Sequence, residues 1–192
     1  MKSEEREIVY HFFSKVYGHD LSEEEKQKID VASRKEKIRR KQLIFGKDDV
    51  NTRHYFIEKG LLRMFVIDQS GKEFNILFAR ENQWIGDLIT PTATSFYLDA
   101  VENSVVYSFD DEQLHKLTAN FSYFAETFRR SYIFLQKRLV CILSKTAEEN
   151  YEELIKQYPE LIQRLPQYHI SAYLGVTPEF LSKIISKRAR KR

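Results

Sequence analysis

The most informative segment of this sequence is Gln167-Tyr-His-Ile-Ser-Ala-Tyr-Leu-Gly-Val-Thr-Pro-Glu-Phe-Leu-Ser-Lys-Ile-Ile-Ser-Lys-Arg-Ala-Arg-Lys-Arg192. Ile170 and Leu174 lie four residues apart, as they would on one face of a helix. Gly175 follows directly, and glycine is the residue that most readily adopts the left-handed conformation at a helix end. The pattern predicts a short helix that ends at Gly175.

A second helix is predicted immediately after this turn. Thr177 is a favourable N-cap, and Pro178 suits the first helical position. Leu181, Ile184 and Ile185 would form its apolar face. Two short helices joined by a tight turn are typical of a DNA-reading helix-turn-helix, in which the second helix enters the major groove.

An ordinary helical hairpin would show the same caps and periodicity, so the charge of the segment has to separate the two interpretations. Between Gln163 and Arg192 the only acidic residue is Glu179. The basic residues there are Arg164, Lys183, Lys187, Arg188, Arg190, Lys191 and Arg192. A field of one sign suits a polyanion, and it favours double-stranded DNA as the partner.

Composition limits the other classes of function. The chain has 192 residues and a formal charge of only +3, so its basic surplus is local. No apolar run reaches the length of a membrane span, and the charged N-terminus lacks the apolar core of a signal peptide. A single cysteine, Cys141, excludes an internal disulfide and a four-thiolate metal or iron–sulfur site. We expect a cytoplasmic protein without a membrane association.

The N-terminal segment, residues 3–41, is highly charged and is predicted to be helical. Ser22-Glu-Glu-Glu25 resembles a capping box that opens a second helix. Arg34-Lys-Glu-Lys-Ile-Arg-Arg-Lys41 is a basic run, interpreted mainly as a solvated face, with a supplementary phosphate contact as the alternative.

Short β-segments follow from about Gln42 to Phe109, as the enrichment in β-branched and aromatic residues indicates. Glycine-bearing turns separate them, and Asp68-Gln-Ser-Gly71 has the character of a hairpin loop. The predicted strands include Tyr55–Ile57, Leu61–Ile67, Phe74–Phe78 and Val105–Phe109. Many short strands at close spacing predict an antiparallel sandwich or roll.

A helical region follows the strands. A short helix is predicted at Asp111–Leu117, and beyond it apolar residues recur in steps of four and three. These residues are Phe121, Ala125, Phe128, Tyr132, Leu135, Leu139 and Ile142. A 3.5-residue period held over three heptads predicts a coiled-coil seam, and we favour a homodimer. The alternatives are a helix packed on its own β-domain, or a seam of which only half crosses the dimer axis.

A further helix is predicted from about Ala147 to Gln157, ahead of the helix-turn-helix. The predicted class is therefore α+β, with N-terminal helices and an antiparallel, jelly-roll-like β-roll, a long dimerisation helix and an all-α C-terminal domain. The corresponding boundaries are 1–118, 119–144 and 145–192.

This order of elements resembles the Crp/Fnr family of bacterial transcription regulators, over roughly Lys41 to Arg188. It is similar in particular to the short members of that family from Bacteroidetes. Besides the helix-turn-helix, the motifs that carry the resemblance are Tyr55-Phe-Ile-Glu-Lys-Gly-Leu-Leu-Arg63, Gly71-Lys-Glu73, Trp84-Ile-Gly-Asp87 and Leu98-Asp-Ala-Val-Glu-Asn103. Each motif alone is weak, but their order and spacing together are specific.

The resemblance implies an effector pocket in the β-roll that includes Gly86, Asp87, Thr94 and Ser95. Members that bind cyclic AMP use a Gly-Glu pair for the ribose and an arginine for the phosphate. Here Gly86-Asp87 stands at the first position and about Thr94 at the second, and no basic residue lies between Arg80 and His115. A buried phosphate would lack its counter-charge, so we predict a degenerate pocket that does not bind cyclic AMP in the usual way.

Other family chemistries are limited by the residues present. The cysteine-held iron–sulfur cluster of oxygen-sensing members is excluded by the single cysteine. His54 and His115 could be considered as haem ligands, but a lone histidine is more often a hydrogen-bonded or surface residue. We therefore predict no metal and no cofactor, and either a different small-molecule effector or none.

By motif position, Glu179, Ser182 and Lys183 would face base edges. Glu179 can accept a hydrogen bond from cytosine, and Lys183 can donate to guanine. Pro178 and Lys183 stand where the family often has arginine. The predicted phosphate contacts are Tyr168, His169, Thr177, Lys187, Arg188 and Arg190.

The predicted function is a homodimeric transcriptional regulator that reads a pseudo-palindromic operator, with RNA polymerase as a further partner. The alternative is a sensory module that signals through protein contacts without specific DNA binding. No nucleophile motif, metal-ligand spacing or phosphate-binding glycine loop indicates an enzyme. Asp87 and Asp99 could be imagined as a catalytic carboxylate pair, but ordinary surface or cap roles are expected for them instead.

Overall fold

The computed structural model describes residues 6–87, 92–119 and 122–190. Within these ranges the strands are β1 (Ser33–Ile38), β2 (Leu43–Phe45), β3 (Arg53–Lys59), β4 (Leu62–Ile67), β5 (Glu73–Ala79), β6 (Trp84–Ile85), β7 (Tyr97–Ala100) and β8 (Ser104–Asp110). The helices are α1 (Glu7–Tyr17), α2 (Glu23–Ala32), α3 (Asp111–Thr118), α4 (Ser122–Ser144), α5 (Ala147–Gln157), α6 (Pro159–Arg164), α7 (Gln167–Leu174) and α8 (Pro178–Ala189).

The described chain forms two compact units. The first contains the residues up to Phe65 together with 77–129, and the second contains 66–76 together with 130–190. The predicted boundaries at residues 118 and 144 stay predictions. The two units instead divide between residues 129 and 130, within the continuous helix α4.

Two four-stranded sheets form the β-roll, in the orders β1-β8-β3-β6 and β2-β7-β4-β5. The β1–β8 pair is antiparallel, with Ser33 opposite Phe109 and Ile38 opposite Ser104. The remaining pairs whose register is resolved are also antiparallel. The predicted α+β class with an antiparallel roll is thereby confirmed.

Alternation along β3 builds two apolar clusters in the first unit. Tyr55 and Ile57 belong to the cluster that also includes Leu62 and Val106 from β4 and β8. Phe56, between them, belongs to a second cluster with residues of α1, α2 and α3. Successive side chains of a strand point to opposite faces, so one sheet serves both the roll interior and the helical cover.

Local capping sets the ends of the N-terminal helices, and the capping box at Ser22 was predicted. Ser22 accepts a hydrogen bond from the backbone N–H of Glu25, whose carboxylate accepts from the backbone of Ser22 in return. Gly18 ends α1 in the left-handed conformation, with φ 77°. The apolar faces of α1 and α2 then bury Val9 and Ile29.

The prediction of helix through residue 41 is wrong beyond Ala32. The basic run begins in β1, an edge strand whose two ends, Ser33 and Ile38, are buried while most of its centre is exposed. Lys35 pairs with Glu58 of β3, at 2.8 Å. Charged residues have a weak intrinsic preference for strands, but tertiary contacts can override that preference. Here six residues of β1 pair with β8 and hold the segment as a strand.

Tight turns connect the strands where glycine was predicted to break them. Asp68 and Gly71 form the β4–β5 turn, in which the Gly71 N–H donates to the Asp68 carbonyl at 3.0 Å. Gly60 has φ 106°, and a Cβ atom there would lie 2.2 Å from Oγ of Ser104. Both the backbone conformation and the close approach therefore require glycine at position 60.

The helices of the second unit begin and end close to their predicted residues. Thr146 and Glu149 form a capping box that opens α5, and that helix has the predicted bounds. The short helix α6, with Pro159 at its first position, was not predicted. Among the residues the structure describes, no helix combines the length and the apolar character needed to cross a membrane.

Candidate functional site

The turn between α7 and α8 has the predicted helix-turn-helix construction. Gly175 ends α7 with φ 72°, in the left-handed region. The Thr177 hydroxyl accepts a hydrogen bond from the backbone N–H of Phe180 at 3.2 Å and so caps α8. Ile170, Leu181 and Ile184 are buried, and they fix the two helices against each other.

The three predicted base-reading residues lie on the exposed side of α8. Glu179, Ser182 and Lys183 are all exposed. The backbone N–H of Glu179 and the Thr177 hydroxyl hold the pKa of the Glu179 carboxyl below its usual value, because both stabilise the carboxylate. The face therefore presents a carboxylate acceptor, a hydroxyl and an ammonium donor within about one turn of helix.

Two of the predicted phosphate-binding cations are already paired with acidic residues of α5. Lys187 lies 2.7 Å from Glu148, and Arg188 lies 2.9 Å from Glu152. Apart from Glu179, the charged residues of α8 are all basic, but the fold brings these carboxylates beside it. Exposed pairs of this kind are weak, so they reduce the positive field without preventing exchange for phosphate.

His169 was wrongly assigned to the phosphate-contacting set. Its side chain is only 4% exposed, and its backbone carbonyl accepts a hydrogen bond from Nδ2 of Asn75 at 2.8 Å. Tyr168, whose ring centroid lies 4.1 Å from that of His169, is exposed and remains a candidate. The histidine is a structural residue because it packs inside the second unit rather than facing solvent.

Arg138 of α4 is a central residue of the second unit that the sequence did not single out. Its guanidinium donates to the backbone carbonyls of Asn75, Ile76 and Tyr173. Burial lowers its pKa below the usual arginine value. The contacts join the residues after the β4–β5 turn, the long helix and the first helix of the helix-turn-helix.

The predicted seam of α4 is an exposed apolar face in the single chain. Its described members are all exposed, namely Ala125, Tyr132, Leu135, Leu139 and Ile142. Leu143 and Val140 extend the same exposed surface. Phe121 and the side chain of Phe128 lie outside the described residues.

A cavity of about 690 Å³ lies within the second unit, between α4, α5 and α7. Phe134, Cys141, Leu154 and Tyr158 are among its lining residues, and the Phe134 and Tyr158 rings meet edge-on at 6.3 Å. The volume is in the range of small-molecule pockets. Nothing in the helical periodicity indicates it, because the cavity depends on how three helices pack.

Two of the four predicted effector residues of the β-roll, Asp87 and Thr94, are joined by a hydrogen bond between their buried side chains. The Thr94 hydroxyl donates to a carboxylate oxygen of Asp87, and both residues are at most 5% exposed. The Thr94 backbone exchanges hydrogen bonds with the loop at Asp48 and Asp49. The Thr94 hydroxyl thus satisfies the buried carboxylate of Asp87, while Ser95 is exposed.

Close packing, rather than its backbone angles, favours glycine at position 86. A Cβ atom there would lie 3.0 Å from the carbonyl oxygen of Arg53 and 3.0 Å from Nδ1 of His54. His54 is itself buried, with Nε2 2.8 Å from a carboxylate oxygen of Asp111. This histidine therefore has the hydrogen-bonded role that the sequence favoured.

Asp87 and Asp99 have separate partners in the first unit. Asp99 forms a two-pronged pair with Arg63, with distances of 2.8 and 2.9 Å, and both side chains are largely buried. Arg63 also lies over the ring of Phe65, 3.9 Å from its centroid. Within the part of the chain that is described, no group of three or more histidine, cysteine or acidic residues has the geometry of a metal site.

Comparisons with known proteins agree with this architecture. Residues 35–121 match the family model of the cyclic nucleotide-binding domain. The anaerobic regulatory protein of Haemophilus influenzae is 26% identical over 184 residues, which cover 87% of this chain and 72% of that protein.

Two solved structures share the fold. FixK2 from Bradyrhizobium japonicum superposes with a TM-score of 0.73 at 16% identity, covering 83% of this chain and 85% of its own. A CRP/FNR-family transcriptional regulator from Thermus thermophilus has a TM-score of 0.66 at 14% identity, covering 82% of this chain and 87% of its own.

The chain combines a cyclic-nucleotide-binding-type β-roll with a long helix and a helix-turn-helix. This combination defines a class of transcription regulators that join a ligand-binding-type domain to a DNA-binding motif. Within that class, these comparisons support the similarity to the Crp/Fnr family that the motifs predicted. Proteins of this family are regulators and not enzymes.

Proposed function

We propose that this protein is a homodimeric transcription regulator whose α8 helices read a pseudo-palindromic DNA operator. The observation that carries the proposal is the exposed face of Glu179, Ser182 and Lys183 on the second helix of the helix-turn-helix. The N-terminal residues of such a helix are those that contact base edges in the major groove.

Phosphate contacts would position this helix without specifying sequence. Tyr168, Thr177 and Arg190 are exposed and would take that role. Lys187 and Arg188 would join them by exchanging Glu148 and Glu152 for phosphates. That exchange makes part of the binding electrostatic, so affinity should fall as salt rises.

The dimer would form through the exposed apolar face of α4. Tyr132, Leu135, Leu139 and Ile142 recur at coiled-coil spacing and leave apolar surface in water. A two-fold dimer would place its α8 helices in half-sites about 34 Å apart, one turn of DNA. The pseudo-palindrome follows from that symmetry.

The β-roll would respond to a ligand other than cyclic AMP, or it would bind no effector and DNA binding would not depend on one. A cyclic phosphate needs a cation where Thr94 stands, and Thr94 is engaged with Asp87. A regulator of this kind would act in the cytoplasm on chromosomal DNA, with RNA polymerase as its downstream partner.

A second candidate function is a sensory module that signals through protein contacts. The pairing of Lys187 and Arg188 with α5 favours it, since both pairs lower the positive charge available to DNA. A gel-shift titration at two salt concentrations, with a selected operator and a scrambled duplex, separates the two functions. The proposed regulator binds the operator more tightly at both salts, whereas equal or absent binding supports the sensory module.

A further inference from the structure

An exposed phenylalanine lies in the first turn of α8, beside the proposed base-reading residues. Phe180 leaves 48% of its surface accessible, although phenylalanine is one of the residue types most often buried. Its N–H bond to the Thr177 hydroxyl places it as the third residue of the helix. Its position in the turn is therefore fixed, while its ring stays largely in water.

The helix places Phe180 at the margin of the reading face rather than in the core. Leu181 and Ile184 form the buried stripe of α8. Lys183 follows Phe180 by three residues, so the two side chains are neighbours on the helix surface. Glu179 precedes it directly and is also exposed.

We propose that Phe180 is a specificity-determining residue that contacts the C5-methyl group of a thymine in the major groove. The inference rests on the proposed function. Thymine alone among the four bases carries a methyl group there, and an apolar side chain recognises it by contact. A phenyl ring cannot replace the hydrogen bonds of Glu179 or Lys183. It would instead recognise thymine, a base that neither of those residues reads.

The neighbouring charge identifies DNA, rather than an apolar protein surface, as what covers the ring. Lys183, three residues after Phe180 on α8, is exposed, and it forms no ion pair with another described residue. An apolar protein partner would have to bury the charge beside the ring, which is costly, whereas DNA supplies both a methyl group and phosphates.

The test uses the full chain and an operator selected by the wild-type protein from random duplexes. Each thymine of a half-site is replaced singly by deoxyuridine, which removes only the methyl group. We expect at least one position where this change weakens wild-type binding about fourfold, the factor that one buried methyl group contributes. Phe180→Ala should bind more weakly and show no difference between thymine and deoxyuridine there.

Tyr168→Ala is the matched control, because Tyr168 is equally exposed, at 48%, but lies on α7. It should weaken the thymine and deoxyuridine duplexes alike. Phe180→Leu should keep part of the methyl preference, and circular dichroism should show unchanged folding for each variant.

The inference is overturned if the wild type is indifferent to every methyl group, or if Phe180→Ala keeps the full preference. Specific operator binding with either result would leave the proposed function intact. Absence of sequence preference in the wild-type selection would instead overturn the proposed function, and this inference with it.

Discussion

The guanidinium carbon of Arg138 lies 3.6 Å from the ring centroid of Tyr173, and Nη2 of the same arginine donates to the Tyr173 backbone carbonyl at 3.1 Å. Nη2 also donates to the carbonyl of Asn75 at 2.7 Å, and Nη1 donates to that of Ile76. One planar side chain thus binds carbonyls from two distant segments and stacks on a ring. Only arginine combines these contacts, because lysine has neither the fork nor the planar group.

Arg138→Lys should therefore destabilise the protein although it keeps the charge. Hydrogen bonds to charged groups contribute about 1.5–3 kcal/mol each, so we expect the free energy of unfolding to fall by roughly 2 kcal/mol or more. Urea unfolding followed by circular dichroism measures the change. The exposed neighbour Lys137 provides the control, since Lys137→Gln should change stability by less than about 0.5 kcal/mol. Equal effects of the two substitutions would contradict the role given to Arg138.

Thr94→Val tests the hydrogen bond to Asp87. Valine keeps the shape of threonine but cannot donate, so a buried carboxylate loses one of its donors. We expect a loss of about 1.5–3 kcal/mol in the free energy of unfolding. Ser95→Ala removes a neighbouring hydroxyl that is exposed, and it should be nearly neutral. A neutral Thr94→Val would mean that the bond contributes nothing to the fold.

The same pair predicts the response to cyclic nucleotides. Isothermal titration of the wild-type protein with cyclic AMP should give no saturable binding at micromolar concentrations. The physical reason is the missing cation at position 94, since a buried phosphate without a counter-charge is strongly disfavoured. A micromolar isotherm would show that another basic residue supplies the charge.

Lys183→Ala tests base reading by α8. We expect the preference for the operator over a scrambled duplex to fall by about 1–3 kcal/mol, with little change in binding to random DNA. Arg190→Ala removes a cation from the end of the same helix. It should weaken both duplexes alike and reduce the salt slope by about one. Competition binding at several salt concentrations measures both effects, and identical behaviour of the two variants would argue against Lys183 as a base contact.

Leu139→Glu tests the dimer seam. Dimerisation would bury the new carboxylate in an apolar interface, and burying an unpaired charge costs free energy. The dimer should therefore dissociate at concentrations where the wild type is associated. Lys137→Gln makes the same one-unit change in charge two residues away, off the seam, and should leave association unchanged. Sedimentation velocity measures both. A wild-type monomer, or a Leu139→Glu variant that stays dimeric, would rule out this seam.

The helix ends could be predicted from the sequence because their stabilising contacts are local. Thr177 bonds to a residue three positions away, and so do Ser22 and Thr146 in their capping boxes. Gly175 needs only its own conformational freedom to end α7. Each of these signals is complete within one turn of the chain.

The sequence did not predict β1, nor the burial of His169, because both depend on distant partners. The charged strand exists through its pairing with β8, whose residues lie far along the chain. His169 is held by Asn75, which is 94 residues away. A histidine in the first turn of a short helix looks accessible until the segment that covers it is known.

The features of the candidate DNA-binding surface are also of two kinds, those set by local sequence and those set by distant contacts. The sequence alone predicts the helix-turn-helix, its exposed candidate base-reading residues and the apolar period of α4, since these follow from helical geometry and capping. The pairing of Glu148 and Glu152 with Lys187 and Arg188, and the bond from Thr94 to Asp87, are visible only in the folded chain. Charge and hydrogen bonding act through space, so their partners are set by packing between elements that the order of residues does not specify.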